Sequence, residues 1–148
     1  MRTEIDGLGV YYEQHGCPAN PHILLLHGWG SSLDAFRLFI RDFSDRFFLT
    51  AVDLPGFRQS DMLQKPWDAA AYAGFVLKFI GAMKLQNPVL IGHSHGGRTI
   101  LKLAGEGLLA PPKIVLLDPA GLTHRRTMRQ NLRLYAFKTV KAALSAPG

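Results

Sequence analysis

The residues with the clearest chemical potential lie in the stretch GHSHGG, Gly92 to Gly97, where a serine stands between two histidines and glycines flank all three. This stretch follows the apolar run PVLI and precedes RTILKLAGEG, which has the pattern of a helix. G-x-S-x-G between a buried strand and a helix is the nucleophile-elbow pattern, in which a sharp turn exposes the serine Oγ at the edge of a sheet. We therefore take Ser94 as the candidate nucleophile, and Gly92 and Gly96 as positions that must be small for the turn to close.

A second motif, HGWG, follows the apolar run ILLL. A loop at this place can aim a backbone N–H at the point above the sheet that the N–H following the serine also reaches. The candidate oxyanion hole therefore consists of the backbone N–H groups of Trp29 and His95. His27 and Gly28 support the loop, and we expect His27 to satisfy backbone groups there rather than to act as a base.

The remaining pattern predicts an α/β fold with an open, mostly parallel sheet and flanking helices, because short apolar strands alternate with amphipathic helices. A hairpin is expected around Asp6-Gly7, and helices are expected from Ser31 or Ser32 and over about 67–83. The other predicted elements are the strands HILLL, FFLTAVD, PVLIGHS and KIVLLDPAG and the helix RTILKLAGEG. Each predicted motif then follows the end of a strand.

The motifs HGWG, DLPGF, GHSHGG and LLDPAG, in this order and spacing, resemble the N-terminal half of the α/β-hydrolase family. The nearest group is that of small esterases, C–C hydrolases and non-haem haloperoxidase-like proteins, and the resemblance extends over about residues 4–122. It implies a truncated α/β-hydrolase-like core and a serine hydrolase that acts on a small ester or related acyl compound through an acyl-enzyme. It implies no cofactor.

The family places its acid and then its histidine after the serine. Beyond Ser94 the chain has the carboxylates Glu106 and Asp118 and the histidines His95 and His124. Asp118, at the end of a strand, is the candidate acid and His124 the candidate base, while the His95 side chain is expected to point away along the new helix.

The family chain continues into a helical cap and further strands that carry the usual acid and base. We expect residues 1–122 to form the core and residues 123–148 to form a basic amphipathic helix that begins a cap. The chain alone is then weak or inactive, and a missing C-terminal half or a swapped second copy completes it. The alternative is a catalytically silent binding or assembly module with a retained elbow.

Composition fits one globular domain, since 47% of the 148 residues are hydrophobic and 19% are charged. The net charge of +6 comes from the segment after His124, so nucleic acid is not an expected partner. A membrane is also not an expected partner, because no apolar run is long enough to span one. Cys17 is the single cysteine, and without an apolar leader we expect a cytoplasmic protein.

His93 and His95 lack a third ligand at metal spacing, so no metal site is expected. Asp53 is expected to fasten the DLPG turn.

Overall fold

A computed structural model describes residues 1–122 of the chain, and within them strands and helices alternate as the sequence predicts. The strands are β1 (Arg2–Ile5), β2 (Leu8–His15), β3 (His22–Leu26), β4 (Phe48–Val52), β5 (Val89–His93) and β6 (Ile114–Leu117). The helices are α1 (Arg37–Phe43), α2 (Ala69–Ala82) and α3 (His95–Gly105), and a short 3₁₀ helix (Leu33–Phe36) precedes α1. The predicted basic helix over 123–148 lies outside the described residues.

The strands form one sheet in the order β1-β2-β4-β3-β5-β6. β4, β3, β5 and β6 run parallel, and the hairpin of β1 and β2 adds to β4 in the antiparallel sense. The predicted open, mostly parallel α/β sheet is therefore confirmed. Because the carboxyl ends of parallel strands meet at one edge of a sheet, the motifs that follow these strands converge there.

Side chains of the central strands alternate between two hydrophobic cores, one on each face of the sheet. Leu24 and Leu26 of β3 face the core that contains side chains of α2 and α3. Ile23 and Leu25 face the other core, which contains side chains of the 3₁₀ helix and α1. Burial on both faces explains why β3 is a continuous apolar run rather than an alternating pattern.

The first helical segment has a predicted N-cap but a different first turn, and the second helix begins slightly later than predicted. The first helical segment starts at the N-cap Ser32, whose Oγ accepts a hydrogen bond from the Asp34 N–H at 3.2 Å, but it runs as a 3₁₀ turn before α1. The second helix starts at Ala69 rather than near residue 67, because the Asp68 carboxylate caps it by accepting from the Ala71 N–H at 2.8 Å. None of the helices within residues 1–122 has both the length and the apolar character needed to cross a membrane.

β6 is the outermost parallel strand of the described residues. Among residues 1–122 it pairs with β5 alone, and its last residue, Leu117, is 45% exposed. An apolar strand with an open edge can pair with another chain. Association through this edge remains a prediction.

The first turn of α3 lies directly against the end of β3. The Gly96 N–H donates to the His27 carbonyl oxygen at 3.1 Å, and a Cβ at Gly96 would lie 2.1 Å from the Leu26 carbonyl oxygen. A Cβ at Gly92 would in turn lie 2.6 Å from the carbonyl carbon of Gly96. No side chain fits at either position, which is the steric requirement that the sequence pattern predicts.

This packing predicts that Gly96→Ala lowers the free energy of unfolding by about 3 kcal/mol, because the added methyl group meets backbone that cannot move aside. Gly74→Ala is the matched control, since Gly74 lies within α2 and nothing comes within 4 Å of its Cβ position. The control should change the stability by less than about 1 kcal/mol, in the stabilising direction. Urea denaturation followed by circular dichroism measures both, and equal stability of the two variants would contradict the packing.

Candidate active site

Ser94 forms the whole connection between β5 and α3. β5 ends at His93, α3 begins at His95, and the Ser94 backbone has φ 48° and ψ −106°. A positive φ of this kind is strained for a residue with a side chain, by about 1–3 kcal/mol, and such strain is concentrated at functional sites. The turn has the form of the predicted elbow, and the partly exposed Ser94 lies at the carboxyl edge of the sheet.

Backbone hydrogen bonds from two directions hold the strained residue. The Ser94 N–H donates to the Leu117 carbonyl oxygen at the end of β6, at 3.0 Å. The Ser94 carbonyl oxygen accepts from the N–H groups of Arg98 and Ala120, at 3.0 and 2.9 Å. The peptide groups are thus satisfied, whereas the Ser94 Oγ forms no hydrogen bond with any other residue of the range 1–122.

The HGWG loop passes close to the elbow. A Cβ at Gly28 would lie 3.3 Å from the Cβ of Ser94 and 2.8 Å from Nδ1 of His93. Glycine at this position lets the loop approach the serine without displacing the exposed His93 ring. The loop and the elbow are neighbours at the sheet edge, as the two motifs predict.

The His27 imidazole is fully buried and bonded to backbone on both sides. Its Nε2 accepts from the Leu54 N–H at 2.9 Å, which leaves Nδ1 to carry the proton and donate to the Gly28 carbonyl oxygen at 2.7 Å. Burial lowers the pKa of His27, so the ring stays neutral. These bonds match the expected supporting role and leave neither nitrogen free to act as a base.

Asp53 joins the loop after β4 to the 3₁₀ helix. Its buried carboxylate accepts from the Leu33 N–H at 2.8 Å and from the Gln59 N–H at 3.2 Å. The Ser60 hydroxyl donates to the Asp53 carbonyl oxygen, which closes the same loop. The predicted fastening of the DLPG turn is present, and it extends to the element that follows the HGWG loop.

The two candidate oxyanion donors remain available. Within residues 1–122, the backbone N–H groups of Trp29 and His95 donate to no protein acceptor, whereas the next N–H, that of Gly96, is bonded to His27. His95 is the first residue of α3, so its N–H belongs to the positive end of the helix dipole. The arrangement suits a developing negative charge beside Ser94.

The side chain of His95 corrects one expectation. Instead of running along α3, its ring packs edge to face against Trp29 and Tyr72, at centroid distances of 5.3 and 4.7 Å. Phe57 contacts both Trp29, at 5.1 Å, and His27, at 5.4 Å. We call these five residues the aromatic cluster. It joins the loops after β3 and β4, helix α2 and the residue after the serine.

Sequence reasoning did not identify Phe57 or Tyr72 as residues of the site. Phe57 stands in the DLPGF motif, which was a usable signal. Tyr72 gives no such signal, because its place on the apolar side of α2 predicts core packing alone. It is indeed buried, and its hydroxyl donates to the Pro55 carbonyl oxygen at 3.0 Å.

The candidate acid and base differ in what the structure describes. Asp118 follows β6 directly, is exposed and has φ 45°. It adjoins Leu117, whose carbonyl oxygen is bonded to the Ser94 N–H, so its backbone lies beside the elbow. The candidate base His124 lies outside the described residues. Within residues 1–122 no three histidine, cysteine, aspartate or glutamate side chains are grouped as a metal site would require.

The bonds of His27 predict its tautomer. At neutral pH the ring should carry its proton on Nδ1, because Nε2 accepts from a backbone N–H. His22 is the internal control, since its Nδ1 accepts from the Gln86 N–H at 3.0 Å and its proton should therefore lie on Nε2. Two-bond ¹H–¹⁵N NMR correlations distinguish the two tautomers. An Nε2-protonated His27 would contradict the site geometry.

Comparison with known proteins agrees with this geometry. A family model described as the alpha/beta hydrolase fold matches residues 21–138. An uncharacterized hydrolase of Bacillus subtilis, YugF, is 32% identical over 84% of this chain and 46% of its own length. A non-heme chloroperoxidase of Streptomyces lividans is 29% identical over 97% of this chain and 54% of its own length.

A solved structure described as a membrane phospholipase A, a bacterial virulence factor, has a TM-score of 0.81 and 29% identity, over 93% of this chain and 44% of that protein. The chain thus spans about half the length of the relatives it matches. The family model covers most of the chain, including the HGWG, DLPGF and GHSHGG motifs. The chain belongs to the α/β-hydrolase family.

Proposed function

We propose that the chain is the nucleophile-bearing part of a serine hydrolase that cleaves a small ester or a related acyl compound. The observation that carries the proposal is the strained backbone of Ser94, at φ 48° and ψ −106°, between β5 and α3. A strained turn persists only where the surroundings enforce it, and here glycine contacts and three backbone hydrogen bonds do so. The turn leaves Ser94 partly exposed at the edge of the sheet, where its hydroxyl can meet a substrate.

The oxyanion hole of this proposal consists of the N–H groups of Trp29 and His95. Neither has an acceptor within residues 1–122, and the second lies at the positive end of α3. A donor fixed in advance stabilises the charge that develops on the carbonyl oxygen, and loss of one such donor lowers kcat by about 10²–10³-fold. His27 fixes the HGWG loop, which carries the Trp29 donor, and Asp53 fixes the start of the 3₁₀ helix that follows this loop.

The base of the proposed reaction comes from outside the described residues. His15 and His22 lie away from the carboxyl edge of the sheet, because His15 pairs with Leu49 near the start of β4 and His22 begins β3. His27 is bonded to backbone, and the Nε2 of His95 is buried. His93 precedes Ser94 directly, and within residues 1–122 its exposed ring forms no hydrogen bond with the Ser94 Oγ. We propose that His124, or a histidine of a completing segment or second copy, takes the proton, with Asp118 as the candidate acid.

The reaction then follows acyl transfer in two steps. The Ser94 Oγ bonds to the carbonyl carbon while its proton passes to the base, and the carbonyl oxygen becomes an anion held by the two N–H groups. The C–O bond to the alcohol breaks, and the alcohol leaves with the proton. Water, deprotonated by the same base, then displaces Ser94 and releases the acid. No cofactor takes part, and the proposed setting is the cytoplasm.

The test is hydrolysis of p-nitrophenyl butyrate by the chain alone and by the chain fused to the C-terminal half of the YugF hydrolase. Ser94→Ala and Ser44→Ala are compared in each. Ser44 is the matched control, because it has an ordinary helical backbone, with φ −68° and ψ −15°. The fused protein should hydrolyse the ester, Ser44→Ala should keep the rate, and Ser94→Ala should lower kcat by about 10³-fold or more.

Two outcomes would contradict the proposal. One is turnover by a folded fusion that Ser94→Ala leaves unchanged. The other is the absence of turnover from a fusion that unfolds cooperatively, which would favour the alternative of a silent binding or assembly module. Circular dichroism of each fusion establishes that it is folded.

A further inference from the structure

The His95 ring contains a polar atom that its surroundings do not satisfy. Its Nε2 is buried, and within residues 1–122 it is the one buried side-chain nitrogen or oxygen without a hydrogen-bond partner. Unpaired buried polar atoms are costly and therefore rare in folded proteins, and this one draws attention to the other contacts of the ring.

The contacts of the ring indicate what it does. The Trp29 residue is 68% exposed, and its indole packs edge to face against two rings, those of His95 at 5.3 Å and Phe57 at 5.1 Å. His95 is in turn braced by the fully buried ring of Tyr72 at 4.7 Å. The largely exposed indole therefore has two aromatic contacts, and the His95 ring is one of them.

We propose that the neutral His95 imidazole is a positioning residue, which clamps the Trp29 indole and thereby fixes the spacing of the two N–H groups of the oxyanion hole. This inference rests on the proposed function, because the spacing matters only if the two groups bind an oxyanion. His95 then has two roles. Its backbone supplies one donor, and its side chain holds the loop that supplies the other.

The charges around the ring favour its neutral form. Burial lowers the pKa of His95, and the nearby His27 and Arg98 lower it further. His27 lies directly after β3, and Arg98 lies on α3. Tyr72 of α2 and Phe57 also pack against the ring, and Phe57 contributes no charge. Within residues 1–122, no carboxylate acts on this pKa. Protonation would therefore place a charge on a partly buried ring that has no paired carboxylate among residues 1–122.

Fluorescence of Trp29 reports the state of the ring directly, since an imidazolium in contact with an indole quenches its emission. The chain has two tryptophans, so a Trp67→Phe background isolates the signal of Trp29. Below the ordinary histidine pKa of about 6.5, the emission should fall along a one-proton curve whose midpoint lies on the acid side of that value.

Two substitutions separate the ring from its nitrogens. His95→Phe keeps an aromatic ring against Trp29 and removes the titrating group, whereas His95→Ala removes both. We expect both variants to lose the acid-dependent fall in emission. Acrylamide quenching of Trp29 at neutral pH should increase in His95→Ala and remain near the starting value in His95→Phe.

The proposal is overturned if the unsubstituted ring gives no acid-dependent fall in Trp29 emission, or if the fall persists in His95→Phe. It is also overturned if a folded His95→Ala variant shows the same acrylamide quenching as the starting protein. The titration of the unsubstituted ring does not depend on either variant, so it decides the question even if a variant fails to fold.

Ester hydrolysis by the fused protein separates this inference from the proposed function. His95→Ala should lower kcat by about tenfold with a smaller change in KM, because a misplaced donor is felt chiefly in the transition state. His95→Phe should recover most of the kcat that His95→Ala loses.

If Ser94→Ala leaves turnover unchanged, the proposed function fails while the fluorescence still tests the clamp. If turnover requires Ser94 but is unchanged by His95→Ala, the proposed clamp is overturned while the proposed function stands.

Discussion

The contact between the first turn of α3 and the end of β3 is the constraint on which the site depends. A Cβ at Gly96 would lie 2.1 Å from the Leu26 carbonyl oxygen, so the helix can start where it does only with glycine there. A helix that begins this close to the strands leaves a single residue to make the turn, and Ser94 accepts a positive φ to do so. The exposure of its hydroxyl is thus a consequence of backbone packing rather than of any contact made by the serine itself.

The groups around Ser94 are held by buried polar contacts from distant parts of the chain. His27 ties the HGWG loop to Leu54, and Asp53 ties the loop after β4 to Leu33 and Gln59. The aromatic cluster then joins both loops to α2 and α3. Electrostatic stabilisation of a transition state needs donors that are fixed before the reaction begins. These contacts supply such fixation for the proposed oxyanion hole.

The sequence was informative where structure is dictated locally. Continuous apolar runs predicted the parallel strands, and the glycines around Ser94 predicted the strained turn, because both depend on residues adjacent in the chain. The ring position of His95 could not be predicted, since it is set by Tyr72 on a different helix. The start of α2 at Ala69 follows from a local signal that the predicted range of about 67–83 did not use, namely the N-cap Asp68. Asp118 was correctly expected at the end of a strand, because the apolar run before it marks β6.

The most direct test of the central claim is the thiol pKa of a Ser94→Cys variant in a Cys17→Ser background, measured from the pH dependence of alkylation by iodoacetamide. The exposed Cys17 of the unsubstituted protein provides the reference in the same chain. A thiol presented at the positive end of α3 should have a pKa below the ordinary value of about 8.5 and below that of Cys17. A pKa equal to or above that of Cys17 would contradict the account, because the elbow would then not place its side chain in the field of the helix.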